Sequence, residues 1–387
     1  MTKPVCVMLV AAEASGDALG AGLAKALRAR LGDGVRFVGV GGAQMAREGV
    51  QSPFDISELS VLGLFEGVMA WRRVVRRSKE TAALAAREKP DIAVLIDSWG
   101  FTLRVAHRLR RQDPNLPLVK YVGPQVWASR PLRAKTLANS VDHLLSIHKF
   151  DAPYFEREGL PVTFVGNSAL VRDFSGADPA RLRKSIDAAE ADPILLVLPG
   201  SRPGEIARML PVFEDAVNLL KATRPHLQVV VPAAATVFED VKARVAGWPL
   251  RAFVIDDGVA KIDAMKAATV ALACSGTVTT ELAMAGCPMV VGYRLGDVTH
   301  FLLKRLIRTP YITLFNIAAG KFVAPELVQD KCTGDALARE LAKRLDDPRL
   351  RADQVAEQNA ALDIMGRGGG DPGELAADAV LKVLNAR

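Results

Sequence analysis

One pattern repeats along this chain and limits what it can fold into: a short, unbroken apolar run, then a turn, then a helical stretch. The runs "VCVMLVAA", "VRFVGVGG", "DIAVLID", "LVKYVG", "HLLSIH" and "VTFVGN" occupy the first 170 or so residues, and "ILLVLPG", "LQVVVPAA", "RAFVID", "VALACSG" and "PMVVGY" follow. Strands covered on both faces read as continuous Val/Ile/Leu runs, and helices between them imply parallel sheets. A chain of 387 residues exceeds what one core usually supports. The alternation lapses at "VGNSALVRDFSGADPARLRKSIDAAEADP", where polar residues, Gly and Pro gather. The predicted fold is therefore α/β, with two doubly wound, Rossmann-like domains facing a cleft. Ligands of such sheets sit beyond the carboxyl ends of strands, so functional residues are expected just after the apolar runs.

Several classes are excluded early. No apolar run reaches the 18 or so residues that span a bilayer. The opening "MTKPVCVMLVAAEAS" has the look of a short signal peptide, but it runs straight into a glycine-rich turn and helix, which favours a buried first strand. Cys6, Cys274, Cys287 and Cys332 show no C-x-x-C spacing and read as reduced thiols of a cytoplasmic protein. The histidines at 107, 143, 148, 226 and 300 form no metal-ligand motif, and no D-x-D triplet is present to carry a divalent ion. Metal-independent chemistry without a cofactor is the expectation. The net charge of +7 suits an anionic partner without choosing among phosphate, nucleic acid and lipid.

Four strand ends carry unusual chemistry. After the first run come Glu13, Ser15, Gly16 and Asp17, where a tight turn leads into a helix whose free N–H groups suit an anion or a sugar hydroxyl. The alternative is that Ser15 and Asp17 cap that helix. The run "VLID" ends in Asp97, the best general-base candidate of the amino-terminal half, unless it only binds loop amides. In "LPGSRPGEI", Gly200 and Ser201 turn the chain and Arg202 offers a planar fork suited to a diphosphate, where a merely solvated arginine is the bland alternative. In "CSGTVTTELA", Ser275, Gly276 and Thr277 suit phosphate oxygens, and Glu281, one turn on, suits both hydroxyls of a ribose. A plain capping arrangement with Glu281 on the surface competes with that reading.

Residues 59–79, "LSVLGLFEGVMAWRRVVRRSK", join an apolar surface to a crowded basic end. Leu62, Leu64, Phe65, Val68, Met69 and Trp71 would enter the acyl boundary, and Arg72, Arg73 and Arg76 would meet anionic headgroups. An ordinary core helix with a solvated end is equally compatible. "FLLKRLIR" at 301–308 repeats the character in miniature.

Together "EASGD", "FVGVGG", "LSVLGLFE", "DSWGF", "PQVWA", "LPGSRPGEI", "SGTVTTELA", "PMVVGYR" and "FNIAAGKFVAPELVQ" resemble the lipid A disaccharide synthases, glycosyltransferases of the two-domain GT-B type, over nearly the whole chain. The resemblance implies inverting transfer of 2,3-diacylglucosamine from UDP-2,3-diacylglucosamine to 2,3-diacylglucosamine 1-phosphate, giving a β-1,6-linked disaccharide and UDP. It implies Asp97 as the base, the 200–202 and 275–281 motifs as the UDP site, and Asn316, Glu326 and Gln329 as further donor-pocket residues. It further implies an acceptor-binding, membrane-facing domain over 1–168, a donor domain over 169–362 and a helical segment, 363–387, returning to the first domain. The implied location is cytoplasmic, on the inner face of a Gram-negative inner membrane. The partners are the two lipid substrates and an anionic membrane surface, not nucleic acid, and a homodimer is left open.

This chain departs from the family pattern at Thr102, Ser129, Asn167, Ser168 and Phe315. Thr102, Ser129 and Phe315 touch the details of substrate contacts. Asn167 and Ser168 fall near the hinge. Two other functions fit the same architecture: a UDP-N-acetylglucosamine 2-epimerase, and a non-catalytic binder of sugar nucleotides or anionic lipid.

Overall fold

Among the described residues, twelve parallel strands are arranged as two six-stranded sheets. The computed structural model describes residues 3–59, 67–296 and 309–386, with backbone alone for 67–70. Two compact units result: Met1–Ser168 joined by Gly369–Arg387, and Ala169–Gly368. The helix Pro348–Met365 stays with the second unit, so the chain returns to the first within the glycine run 368–370.

The first sheet has the order β2-β1-β3-β4-β5-β6. Its strands are β1 (Val5–Val10), β2 (Val35–Val40), β3 (Ile92–Ile96), β4 (Leu118–Tyr121), β5 (His143–Ser146) and β6 (Val162–Phe164). Along β1, Met8 and Val10 enter one core with Leu95, Phe101 and Leu118, while Val7 and Leu9 enter the opposite one with Leu23, Leu27 and Val94. That two-residue alternation, buried on both sides, is why the sequence reads as an unbroken apolar run. Gly39 of β2 pairs with Leu9, and its φ is 146°. A Cβ there would stand 1.8 Å from the Leu9 carbonyl oxygen, so the first glycine of "FVGVGG" is set by strand packing.

The last helix, Pro372–Asn385, lays Ala376, Ala377 and Val380 against Leu23 and Leu27 of the helix Ala14–Leu31. Arg30 fastens the pair by bonding the carboxylates of Glu374 and Asp378. The carboxyl-terminal helix thus completes one face of the first core.

The second sheet has the order β12-β11-β10-β7-β8-β9. It comprises β7 (Ile194–Leu198), β8 (Gln228–Ala233), β9 (Phe253–Asp256), β10 (Val270–Ala273), β11 (Met289–Tyr293) and β12 (Glu326–Val328). Leu195, Val197, Val229, Val231 and Leu272 meet Met209, Phe213 and Val217 of the helix Pro203–Thr223. The four cysteines are free and buried, and burial pushes the Cys287 thiol up to about 12.

Each sheet reverses its winding once. In the first, the chain steps from β1 to β2 on one side and later to β3 on the other; in the second, β8 and β10 flank β7 in the same way. At such a reversal the loops after the two central strands diverge and leave a crevice. The four motifs singled out above, at 13–17, 97, 199–205 and 274–281, are the loops at these two switch points.

Candidate active site

In the second unit, the loops after β7 and β10 open onto a cavity of about 480 Å³. Gly200, Ser201, Arg202, Ser275, Gly276, Thr277 and Glu281 all line it. The turn depends on Gly200: its φ is 117°, and a Cβ would come within 2.7 Å of the Glu205 side chain. Glu205 accepts the Ser201 N–H at 3.2 Å, and the helix Pro203–Thr223 starts beyond Arg202 with proline in its first turn. Arg202 itself is 82% exposed, with only a 3.5 Å contact to Glu205. Ser275 donates to the Ile312 carbonyl at 3.0 Å. Among the described residues nothing beyond its chain neighbours lies within 4 Å of where a Gly276 Cβ would be, which leaves that backbone open to close approach at the start of the helix Thr277–Met284.

Glu281 is 14% exposed, so it is not the surface residue of a simple capping turn. Arg172 bonds one of its oxygens, and the Lys261 ammonium lies 3.0 Å from the other. Lys261 also contacts Asp257 at 2.6 Å. Two cations thus fix the carboxylate beside the cavity. Arg172, Asp257 and Lys261 were not foreseen from sequence, although Asp257 directly follows β9 and so obeys the strand-end rule.

The remaining donor-side expectations stand elsewhere. Asn316 is fully buried: its amide donates to Ala324 and Glu326, and its oxygen accepts the N–H groups of Val323 and Ala324. Glu326 accepts the N–H groups of Ile312 and Thr313 at 2.8 Å, and Gln329 accepts that of Leu295 at 2.6 Å. These three do not line the cavity. Asn316 and Glu326 hold the segment whose Ile312 carbonyl positions Ser275, because buried backbone groups at 312–324 need partners, and Gln329 holds the backbone at Leu295.

In the first unit the loops after β3 and β4 meet at a cavity of about 280 Å³ lined by Asp97, Gln125, Ser129, Arg133 and His148 among others. Asp97 (φ 49°), Ser98 (38°), Val122 (70°) and Arg130 (51°) all take left-handed backbone here. Such geometry is rare for a β-branched residue like Val122 and costs about 1–3 kcal/mol at each strained position, a concentration typical of functional sites. Ser15 donates to the Asp97 carboxylate at 3.1 Å, so the motifs after β1 and β3 do converge. Glu13 stands just before the helix Ala14–Leu31 in extended backbone.

Gly16 and Asp17 have structural work instead. Gly16 is buried, and a Cβ would press on Ala11 at 3.3 Å. Asp17 is 4% exposed and accepts the N–H groups of Gly42, Gln44 and Met45 at 2.7–3.0 Å. It therefore caps the short helix Ala43–Arg47 across space, not the helix in which it sits.

Lys120 is the unforeseen member of this site. Its ammonium, buried under β4, donates to the Asp97 carbonyl and to the Thr102 hydroxyl at 3.0 Å. Burial pushes it down to about 7 against the opposing pull of the Asp97 and Glu13 charges. Thr102, one of the departures, donates to the Asp97 carbonyl at 2.8 Å and so helps fix the base-bearing turn. Nearby, burial pushes Asp151 up to about 6 despite hydrogen bonds from Ser146 and Trp127. It pushes His148 down to about 4.

Of the expected membrane segment, Leu62, Leu64 and Phe65 lie outside the described residues, as does 301–308. Val68 and Met69 fall on the helix Gly67–Glu88, with backbone alone described. Trp71 is 55% exposed and Arg72 is exposed. Arg73 donates to the Glu58 carbonyl, Arg76 is exposed and only skirts the Glu58 carboxylate at 3.6 Å, and Arg77 binds Glu58 and lies over the Phe54 ring. Among the described residues no helix is long and apolar enough to cross a membrane, and no cluster of three or more His, Cys, Asp or Glu is placed to hold a metal.

The family model described as lipid-A-disaccharide synthetase matches residues 7–370. The chain belongs to this family. A lipid-A-disaccharide synthase of Nitrobacter hamburgensis is 43% identical over 382 residues, covering 98% of this chain and 96% of the relative. One of Rhodospirillum centenum is 40% identical over 385 residues, covering 100% and 96%. A UDP-N-acetylglucosamine 2-epimerase of Neisseria meningitidis, solved bound to UDP-N-acetylglucosamine, superposes with a TM-score of 0.62 at 12% identity, covering 99% of this chain and 100% of that one. That likeness is one of fold, and it places the chain among GT-B proteins. As a member of this family the protein is a hexosyltransferase of lipid A synthesis, with a UDP-sugar donor and a glycolipid acceptor. The epimerase alternative is thereby set aside.

Proposed function

We propose that the second-unit cavity holds the UDP of UDP-2,3-diacylglucosamine and that Asp97 is the base toward the 6-hydroxyl of 2,3-diacylglucosamine 1-phosphate. The reading is carried by one observation: in a member of this family, Arg202, the 275–277 turn and Glu281 line a single cavity at a switch point. Glu281, held by Arg172 and Lys261, presents a carboxylate suited to the ribose hydroxyls. Arg202 and the N–H groups at the starts of the two helices suit the pyrophosphate.

The reaction is a single displacement. The acceptor oxygen attacks the anomeric carbon as Asp97 takes its proton, the bond from that carbon to the pyrophosphate oxygen breaks, and UDP leaves with the electron pair. Arg202 and the helix N-termini stabilise the charge gathering on the leaving group. Configuration inverts, and no metal takes part in this scheme. UDP release from the donor in detergent micelles containing EDTA is expected to depend on added acceptor; a strict need for magnesium would refute the metal-free scheme.

Both lipid substrates favour work at a membrane surface, since each buried CH₂ is worth about 0.8 kcal/mol against water. The exposed Trp71 and Arg72 support peripheral docking through the start of the helix Gly67–Glu88. Trp71→Ser is expected to lower co-sedimentation with anionic liposomes several-fold without moving the melting temperature. Equal sedimentation of variant and parent would count against the docking face.

A further inference from the structure

The first-unit cavity contains a cation that the scheme above leaves unused. Arg133 lines it together with Asp97, and its guanidinium lies over the Trp99 ring, 5.0 Å from the centroid. Among the described residues the guanidinium makes no hydrogen bond and no ion pair. Burial, and secondarily the charge of Arg130, hold it below the usual arginine range. A half-buried, unpaired guanidinium beside a second arginine lacks the anion that would ordinarily accompany it.

A second group points the same way. His148 lines this cavity, is only 5% exposed, and among the described residues has no partner for its Nδ1. Its ring is stacked on Phe150 and flanked by Trp127, which restricts its rotation. A buried imidazole nitrogen without a partner is uncommon in a native fold. Asp97 lines the same cavity, and its carboxylate repels anions and attracts a hydroxyl, whereas the Arg133 guanidinium has the reverse preference.

We propose that Arg133 is the receptor for the phosphate carried by the acceptor sugar, with His148 adding a hydrogen bond and Arg130 reinforcing the field. The proposal rests on the reading of Asp97 as the base toward a sugar 1-phosphate. In a hexose 1-phosphate the rigid ring fixes the span between the phosphate on C1 and the 6-hydroxyl carried by C5, so an anion anchored at Arg133 limits where that hydroxyl can reach in a cavity that Asp97 also lines. The guanidinium is a planar fork, which favours two-point contact with phosphate over a point charge, and its place over the Trp99 ring restricts it. In this view Arg133 selects a phosphorylated acceptor and orients it, and it takes no part in proton transfer.

The test compares two acceptors, diacylglucosamine 1-phosphate and its dephosphorylated form, in the parent, Arg133→Gln and Arg133→Lys. In the parent, kcat/KM is expected to favour the phosphorylated acceptor by about 100-fold, the value of one or two charge-assisted contacts. In Arg133→Gln that preference should fall to within about threefold, with the donor KM unchanged, and Arg133→Lys should recover part of it. An unchanged preference in Arg133→Gln, or an equal loss with both acceptors, overturns the proposal. Titration of Trp99 fluorescence with glucosamine 1-phosphate provides a readout without turnover: saturation in the parent and none in Arg133→Gln is expected. Absence of saturation in the parent overturns the phosphate site. Saturation without transfer to either acceptor would instead refute the assignment of Asp97 and its substrate while leaving the phosphate site standing.

Discussion

Asp97→Asn is expected to lower turnover by about 10³-fold, in the middle of the range for a lost general base, while UDP binding and the melting temperature stay at the parent's values. The substitution isolates chemistry from architecture. Asp97 has φ 49°, a left-handed conformation that asparagine tolerates at least as well as aspartate. The Ser15 hydroxyl, now 3.1 Å from a carboxylate oxygen, can donate equally to an amide oxygen. The Asp97 carbonyl would still receive the Lys120 ammonium and the Thr102 hydroxyl, because neither bond uses the side chain. What disappears is the capacity to take a proton. Alanine would be a poorer probe, since at this φ it adds about 1 kcal/mol of backbone strain to the loss of the base. Calorimetric titration with UDP reports on the second-unit cavity alone, so an intact titration beside abolished transfer would assign the defect to the acceptor side. Unchanged turnover would remove Asp97 from the reaction.

The fold was legible because a doubly wound sheet writes its burial directly into sequence. The runs forming β1, β3 and β7 are apolar at nearly every position, since both faces of each strand are covered. The positions of the site loops followed from that reading, as strand ends need only the strands to be located. What the local sequence did not disclose were partnerships across long stretches of chain. Arg172 meets Glu281 across 109 residues, and nothing around either residue signals the pairing. Lys120 sits in "LVKYVG", where a lysine ordinarily suggests an edge or solvated position; here it is buried beneath Asp97 because the left-handed turn at 97–98 exposes a carbonyl that needs a donor. Asp17 misled for the same reason. It reads as a local cap, but the amides it serves belong to residues 42–45. Asn316, Glu326 and Gln329 came from resemblance alone, and a motif can mark either a ligand contact or the scaffold behind one. Their hydrogen bonds show the scaffold role.

Arg202→Ala should separate stability from catalysis more sharply than any other change in the second unit. The side chain is 82% exposed, and its contact with Glu205, at 3.5 Å, is too long and too solvated to hold the fold together. The backbone at Arg202, with φ −115° and ψ 142°, is ordinary extended chain that alanine adopts without strain. The turn before it is set by Gly200, and the helix after it by Pro203, so neither depends on the guanidinium. The melting temperature is therefore expected to stay within about 1 °C of the parent. Turnover is expected to fall by about 10²–10³-fold, the effect of removing a donor aimed at charge that grows as the leaving group departs. UDP affinity should fall less than kcat, because the backbone around Gly276 and the carboxylate of Glu281 remain in place to hold the nucleoside. Arg202→Lys should lie between the two, keeping the charge and losing the two-point fork. A turnover equal to the parent's in Arg202→Ala would make Arg202 the solvated loop residue that its exposure alone suggests, and pyrophosphate stabilisation would then have to come from the Ser275–Thr277 turn and the helix N-termini without it.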